Sequence, residues 1–363
     1  MSEESSPLAD EQPAGGLADA PVEPEELPPA DEHTRVEAAA AGAQPQRRLA
    51  VLGRAGEARS VGLVLVLVVL GVVGAVTAPA SFLTTSNLLN ILTTASVIGV
   101  VTVGMTFVII GGGIDLSVGA IIALASVWST TLATQAFGLG GMLFSALVVA
   151  TAAGLVNGVL IAYGRLVPFI VTLAMLVSAR GLAEQLSDRR SQIVEVPAFA
   201  DIALTRPLGV PMLVYILAAV CVVGWLVLNR TTFGRRTFAI GGNPEAARLA
   251  GIDVKRHTML LYVISGLCCG IAAVMLTAQT NTGASTHGQL YELDAIAAVI
   301  IGGTLLTGGR GSLVGSLLGV LVFTTITNLF ILNNLSTPIQ NIAKGAIIVA
   351  AVLLQLRSRE ART

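Results

Sequence analysis

Residues 61–80 read Val61-Gly62-Leu63-Val64-Leu65-Val66-Leu67-Val68-Val69-Leu70-Gly71-Val72-Val73-Gly74-Ala75-Val76-Thr77-Ala78-Pro79-Ala80. This stretch of about 20 residues without a charge is long enough to cross the hydrocarbon layer of a bilayer as one helix. Arg47, Arg48, Arg54 and Arg59 precede it. The small residues Ala78-Pro79-Ala80 would suit a signal-cleavage site, but the length favours a full crossing over a cleavable signal core. The rest of the chain agrees. Of 363 residues, 54% are hydrophobic and 12% charged, and the mean hydropathy is +0.80. A water-facing domain carries about 25% charged residues, so this composition describes an all-α integral membrane protein and argues against a soluble enzyme or a nucleic-acid binder.

The charge is unevenly placed. Eleven of the 22 acidic residues and seven of the 14 prolines fall in residues 1–50. Such a segment is too polar to offset its ordering entropy and reads as a disordered acidic tail, leaving 51–363 as a transmembrane domain. Nine further apolar segments follow the first, at about 88–111, 115–137, 139–163, 166–186, 208–229, 257–278, 292–308, 311–333 and 337–357. The eighth of the resulting ten is short and glycine-broken, as a half-helix would be. With the N-terminus in the cytoplasm, 15 basic residues lie inside and only Arg189, Arg190 and Arg206 outside. That asymmetry puts both termini in the cytoplasm. Cys221, Cys268 and Cys269 lie in apolar runs without ligand spacing and read as packing residues.

The inner loop 230–256 is the most basic in the chain and contains Gly241-Gly242-Asn243-Pro244-Glu245-Ala246-Ala247-Arg248-Leu249-Ala250-Gly251. Asn243 is a good N-cap, Pro244 suits the first helical position, and Glu245 complements the positive end of the dipole. Gly251 supplies a left-handed stop. The stretch predicts one short capped helix, either a partner-docking element or a simple loop closure.

In Gly111-Gly112-Gly113-Ile114-Asp115-Leu116-Ser117-Val118-Gly119, the glycines break the second span and Asp115 is placed to cap a helix beginning at Leu116. A carboxylate at membrane depth is also a functional candidate. Asp294 is placed to cap the eighth helix in the same way. Gly311, Gly315 and Gly319 share one helix face and predict close helix packing. Gly308-Gly309-Arg310-Gly311 lacks the Lys-Ser/Thr of a phosphate loop and reads as a tight turn. Arg180 and Glu184, four apart, predict an ion pair. Gln340, Asn341 and Lys344 form a polar group in the last span. No P-loop, HExxH or GxSxG is present, so no catalytic residue, bound cofactor or metal is expected.

Gly112–Gly119, Gly242–Ala247, Pro168-Phe169-Ile170-Val171-Thr172-Leu173, Arg180-Gly181-Leu182-Ala183, Tyr291–Ala298 and Gly308–Ser312 together resemble the ribose/monosaccharide-type permease of bacterial ABC importers, in order over residues 85–358. The resemblance implies a plasma-membrane subunit that pairs with a second permease copy or close paralogue. It also implies separate ATPase subunits, which carry the ATP and Mg, and an extracytoplasmic sugar-binding protein. It makes Gly242, Asn243, Pro244, Glu245, Ala246, Ala247, Arg248 and Gly251 the ATPase-coupling helix. Loop 187–207 and segment 279–291 become contacts for the binding protein. Asp115, Ser117, Asn157, Phe169, Thr172, Asp294, Thr304 and Asn341 become candidates for the translocation pathway.

Three features depart from the family pattern: Gly111, where Thr is common; Asp188-Arg189-Arg190, which replaces a glycine-rich turn; and the acidic tail. Within the family, branched-chain amino-acid permeases share the general plan, and autoinducers, nucleosides and polyols are alternative solutes. An ion-coupled secondary transporter is the rival from another class.

Overall fold

A computed structural model describes residues 60–360, with side chains to Leu353. The acidic tail and Arg47, Arg48, Arg54 and Arg59 lie outside the described residues, as does Arg362. Among the described residues the chain is helical apart from one two-residue strand pair. Its helices are α1 (Ser60–Thr77), α2 (Thr85–Ile110), α3 (Val118–Ser129), α4 (Leu132–Gln135), α5 (Gly138–Ala162), α6 (Pro168–Ser187) and α7 (Pro197–Leu204). There follow α8 (Met212–Arg230), α9 (Thr232–Gly242), α10 (Pro244–Leu249), α11 (Val254–Thr280), α12 (Tyr291–Ile301), α13 (Leu313–Leu332) and α14 (Thr337–Glu360). Seven of them, α1, α2, α5, α6, α8, α11 and α13, are long and apolar enough to cross a membrane.

α2 is the centre of the bundle. Its most apolar window is 89% buried, against 11% for α1, and α8, α11, α12 and α13 pack around it. An all-round apolar helix belongs in such a position. α5 and α11 meet through small residues: a Cβ on Gly154 would lie 3.0 Å from the Cα of Gly266. Cys268 and Cys269 are buried in this core, as small apolar side chains. Gly315 and Gly319 of α13 press on the backbone of Gly302 and Ala298 at the end of α12, the close packing their spacing predicted, while Gly311 precedes the helix.

Three expected spans are not among the seven long apolar helices: α14 is apolar only over Thr337–Leu353, and two others are broken. The segment 115–137 is not one helix. α3 begins at Val118 and stops at Ser129, where the hydroxyls of Ser129 and Thr130 each lie 2.9 Å from the carbonyl of Ser126. Twelve residues rise about 18 Å, short of the roughly 30 Å of hydrocarbon. The segment 292–308 ends at Ile301, because Gly302 abuts α13 and Gly303 takes φ +98. Both are short helices preceded by non-helical chain, residues 111–117 and 281–290. The turn before α12 packs on the first turn of α3, since a Cβ on Gly288 would lie 2.8 Å from the carbonyl oxygen of Gly119. The strand pair joins Gln192–Ile193 (β1) to Thr282–Gly283 (β2), antiparallel, so loop 187–207 and segment 279–291 are held side by side.

Candidate functional site

The loop 230–256 holds two helices rather than one. α9 begins on Thr231, whose Oγ1 accepts from the amide of Gly234 at 3.4 Å, and it buries Gly234, Thr237 and Ile240. That three-residue spacing was visible in the sequence and marks one buried face, yet the glycines and basic residues around it obscured a helix. Asn243 then ends α9 and caps α10. Its Oδ1 accepts the amides of Glu245 and Ala246, both at 3.0 Å, and Pro244 occupies the first turn. At the other end the amide of Ile252 donates to Ala247 at 3.1 Å and that of Gly251, φ +78, to Arg248 at 3.0 Å. α10 is therefore capped at both ends, as the sequence required.

Ala247 seats α10 on the bundle, with 4% of its surface exposed. The opposite face is open: Leu249 is 74% exposed, and Glu245 and Arg248 pair at 2.6 Å in solvent. The Arg248 guanidinium holds the Glu245 carboxyl below its ordinary range, and the carboxylate raises the guanidinium in return. The result is a short, ordered, charged knob with an apolar tip.

A second constellation is fully buried. Asp115 Oδ1 accepts from the amide of Ser117 at 3.0 Å and from its hydroxyl at 2.6 Å, while Oδ2 accepts from Ser265 Oγ at 2.8 Å. Asn157 Nδ2 donates to Ser117 Oγ at 2.9 Å, and Asn157 Oδ1 is a buried acceptor without a partner among the described residues. This corrects the capping role given to Asp115. The helix starts two residues later, at Val118, and Ser117 in the N-cap position makes no side-chain cap. The carboxylate instead ties the α2–α3 connection to α11 and, through Ser117, to α5. Ser265 was missed because nothing local distinguishes it within an apolar helix.

Removing this acceptor should be costly. Asp115→Ala would strand two buried hydroxyls and one amide, and is expected to lower stability by about 2–4 kcal/mol. Asp115→Asn keeps an acceptor for Ser117 and turns its NH2 to Ser265, so it should stay within about 1.5 kcal/mol of wild type. Thermal denaturation in detergent would show the split; equal midpoints for the two variants would refute it.

Asp294 is likewise not a cap. α12 starts three residues earlier, after Leu290 in the left-handed region (φ +66), and Asp294 pairs with Lys344 of α14 at 3.2 Å. Lys344 also stands 5.3 Å from the centre of the Phe323 ring. Arg180 does not pair with Glu184: it donates to the carbonyls of Ser285 and, at 2.9 Å, His287, and Glu184 takes Arg189 at 2.9 Å. Arg180 thus fastens α6 to the turns that precede α12.

The eight pathway candidates do not form one site. Asp115, Ser117 and Asn157 meet. Thr172 is buried with its hydroxyl on the carbonyl of Pro168 at 2.9 Å, and Thr304 is buried 3.4 Å from the amide of Ser312. Phe169 and Asn341 are exposed on the outside of the single chain.

Residues 87–352 match the family described as branched-chain amino acid transport system / permease component. The chain is 39% identical to the ribose import permease protein of Bacillus subtilis (strain 168), covering 82% of this chain and 93% of the relative. It is 37% identical to the ribose import permease protein of Escherichia coli (strain K12), covering 80% and 92%. It is 36% identical to an L-arabinose ABC transporter permease protein of Azospirillum brasilense, covering 83% and 88%. No solved structure matches the chain. A bundle of apolar helices with a capped helix projecting at one end, matched to these permeases along most of its length, belongs to the family of transport-system permease components.

Proposed function

We propose that the chain is the membrane permease subunit of a bacterial ATP-binding-cassette importer for a monosaccharide. Agreement with ribose and L-arabinose permeases at 36–39% identity over four fifths of the chain carries the sugar assignment. The capped helix α10 supports the ATP-driven assignment. Its open face, with Glu245, Arg248 and Leu249, suits a groove on an ATPase subunit, which supplies the ATP and Mg.

The chain makes ten traversals of the plasma membrane, with α3 and α12 completing theirs through residues 111–117 and 281–290. Both termini are cytoplasmic by the positive-charge asymmetry. The side-by-side outer segments around β1 and β2 meet the extracytoplasmic binding protein, and a second permease copy completes the pathway. A hydrophilic sugar needs weak, transient contacts to pass, so a route assembled between two subunits suits it better than a tight site in one.

Purification of the tagged chain in mild detergent should bring an ATP-hydrolysing subunit with it. Replacing residues 243–250 by a Gly/Ser linker should remove that subunit, and uptake of labelled ribose or arabinose should fall to background. A folded linker variant that retains the ATPase would refute the docking role, and uptake competed by leucine rather than by sugars would refute the substrate class.

A further inference from the structure

Three segments far apart in sequence meet as bare backbone at the base of α10. The last carbonyl of α2, on Ile110, lacks a partner within its own helix and instead accepts the amide of Gly309 at 2.8 Å. Gly241, two residues before the α10 cap, lies against both: a Cβ there would overlap the carbonyl oxygen of Ile110 and stand 2.5 Å from the Gly309 nitrogen. A Cβ on Gly308 would be 2.8 Å from the Cα of Gly112, and one on Gly309 would be 2.7 Å from the Cα of Gly242. Gly112, Gly308 and Gly309 hold φ of +86, +81 and +72, a region that other residues enter at a cost.

We infer that this glycine junction is the mechanical link of the transporter: Gly241, Gly308 and Gly309 are positioning residues that make α10, the end of α2 and the α12–α13 turn move as one body. The inference rests on the coupling role proposed for α10. Backbone pressed on backbone has no rotamers to absorb a displacement, so a push on α10 is delivered undiminished to the central helix and to the turn that follows the half-helix α12. One residue, Asn243, separates α9 from α10, so the junction sits at the foot of the docking element itself. The three glycine motifs of the sequence, separate on paper, serve one contact.

The test uses the assembled importer with its ATPase and binding protein. Gly241→Ala should wedge the junction apart while leaving the open face of α10 untouched. The ATPase should co-purify at the wild-type ratio, and sugar transported per ATP hydrolysed should fall about tenfold or more. Gly140→Ala, a helical position in α5 away from the junction and the docking helix with nothing within 4 Å of a Cβ, should match wild type. Wild-type coupling in Gly241→Ala would overturn the inference. If that variant does not accumulate, a thiol crosslink between Gly242→Cys and Arg310→Cys decides. Locking the two segments together should leave uptake at the level of the uncrosslinked double variant, and lost uptake would overturn the inference. Loss of the ATPase itself belongs to the α10 linker experiment, so failure of the docking role is read separately from failure of the junction.

Discussion

Glu245→Arg should cut coupled uptake by roughly an order of magnitude or more while the chain still folds and inserts. Glu245 and Arg248 are both exposed and paired at 2.6 Å, so the substitution removes no buried contact. It replaces an ion pair by two like charges and puts a cation at the positive end of a helix dipole. The Asn243 cap and the Gly251 stop are unaffected, because both act through other atoms. What changes is the charge pattern of the open face, from balanced to strongly basic. On a small docking surface, reversal of one central charge changes affinity steeply, and uptake is expected to fall on the order of tenfold or more. Melting temperature in detergent should move little. A charge-restoring change on the ATPase groove should recover uptake, and wild-type uptake in Glu245→Arg alone would sink the coupling assignment.

α10 was legible in the sequence because everything that builds it is local. Asn243, Pro244 and Gly251 act within a few residues of themselves, and the structure uses all three as their chemistry dictates. The half-helices were legible only in part. Gly111–Gly113 and Gly302-Gly303 announced breaks, but where α3 and α12 restart depends on Ser117, Leu290 and contacts with other helices. The polar pairs were the least legible. Asp115 finds Ser265 150 residues away, and Asp294 finds Lys344 50 residues away. Local spacing instead suggested two caps and an Arg180–Glu184 pair. A side chain in an apolar interior takes the best partner that the fold brings near, and helix spacing ranks only partners on the same helix. The same reasoning explains the glycines: each motif read alone was a turn or a break, and only the fold brings Gly112, Gly241 and Gly308 together.

Lys344→Met should destabilise the protein by about 3–5 kcal/mol, the usual consequence of leaving one member of a desolvated ion pair alone. The side chains of Lys344 and Asp294 are 17% and 8% exposed, so little water reaches either, and among the described residues only Lys344 donates to the Asp294 carboxylate. Met fills most of the lysine stem's volume and can still pack on Phe323, which isolates the charge effect from a cavity effect. The reciprocal change, Asp294→Leu, should harm stability to a similar degree by stranding the ammonium. The double variant Lys344→Met with Asp294→Leu should recover most of the loss, because two apolar side chains of matching size can replace a buried pair at little or no net cost. Chaotrope or thermal denaturation of all four proteins in detergent would complete the cycle. A coupling energy near zero would mean that each charge is solvated separately, and α14 would then be held to α12 by packing alone. A large coupling energy with full uptake in the double variant would identify the pair as a structural clasp on the half-helix. Large coupling with uptake lost would instead make the charges themselves part of the route.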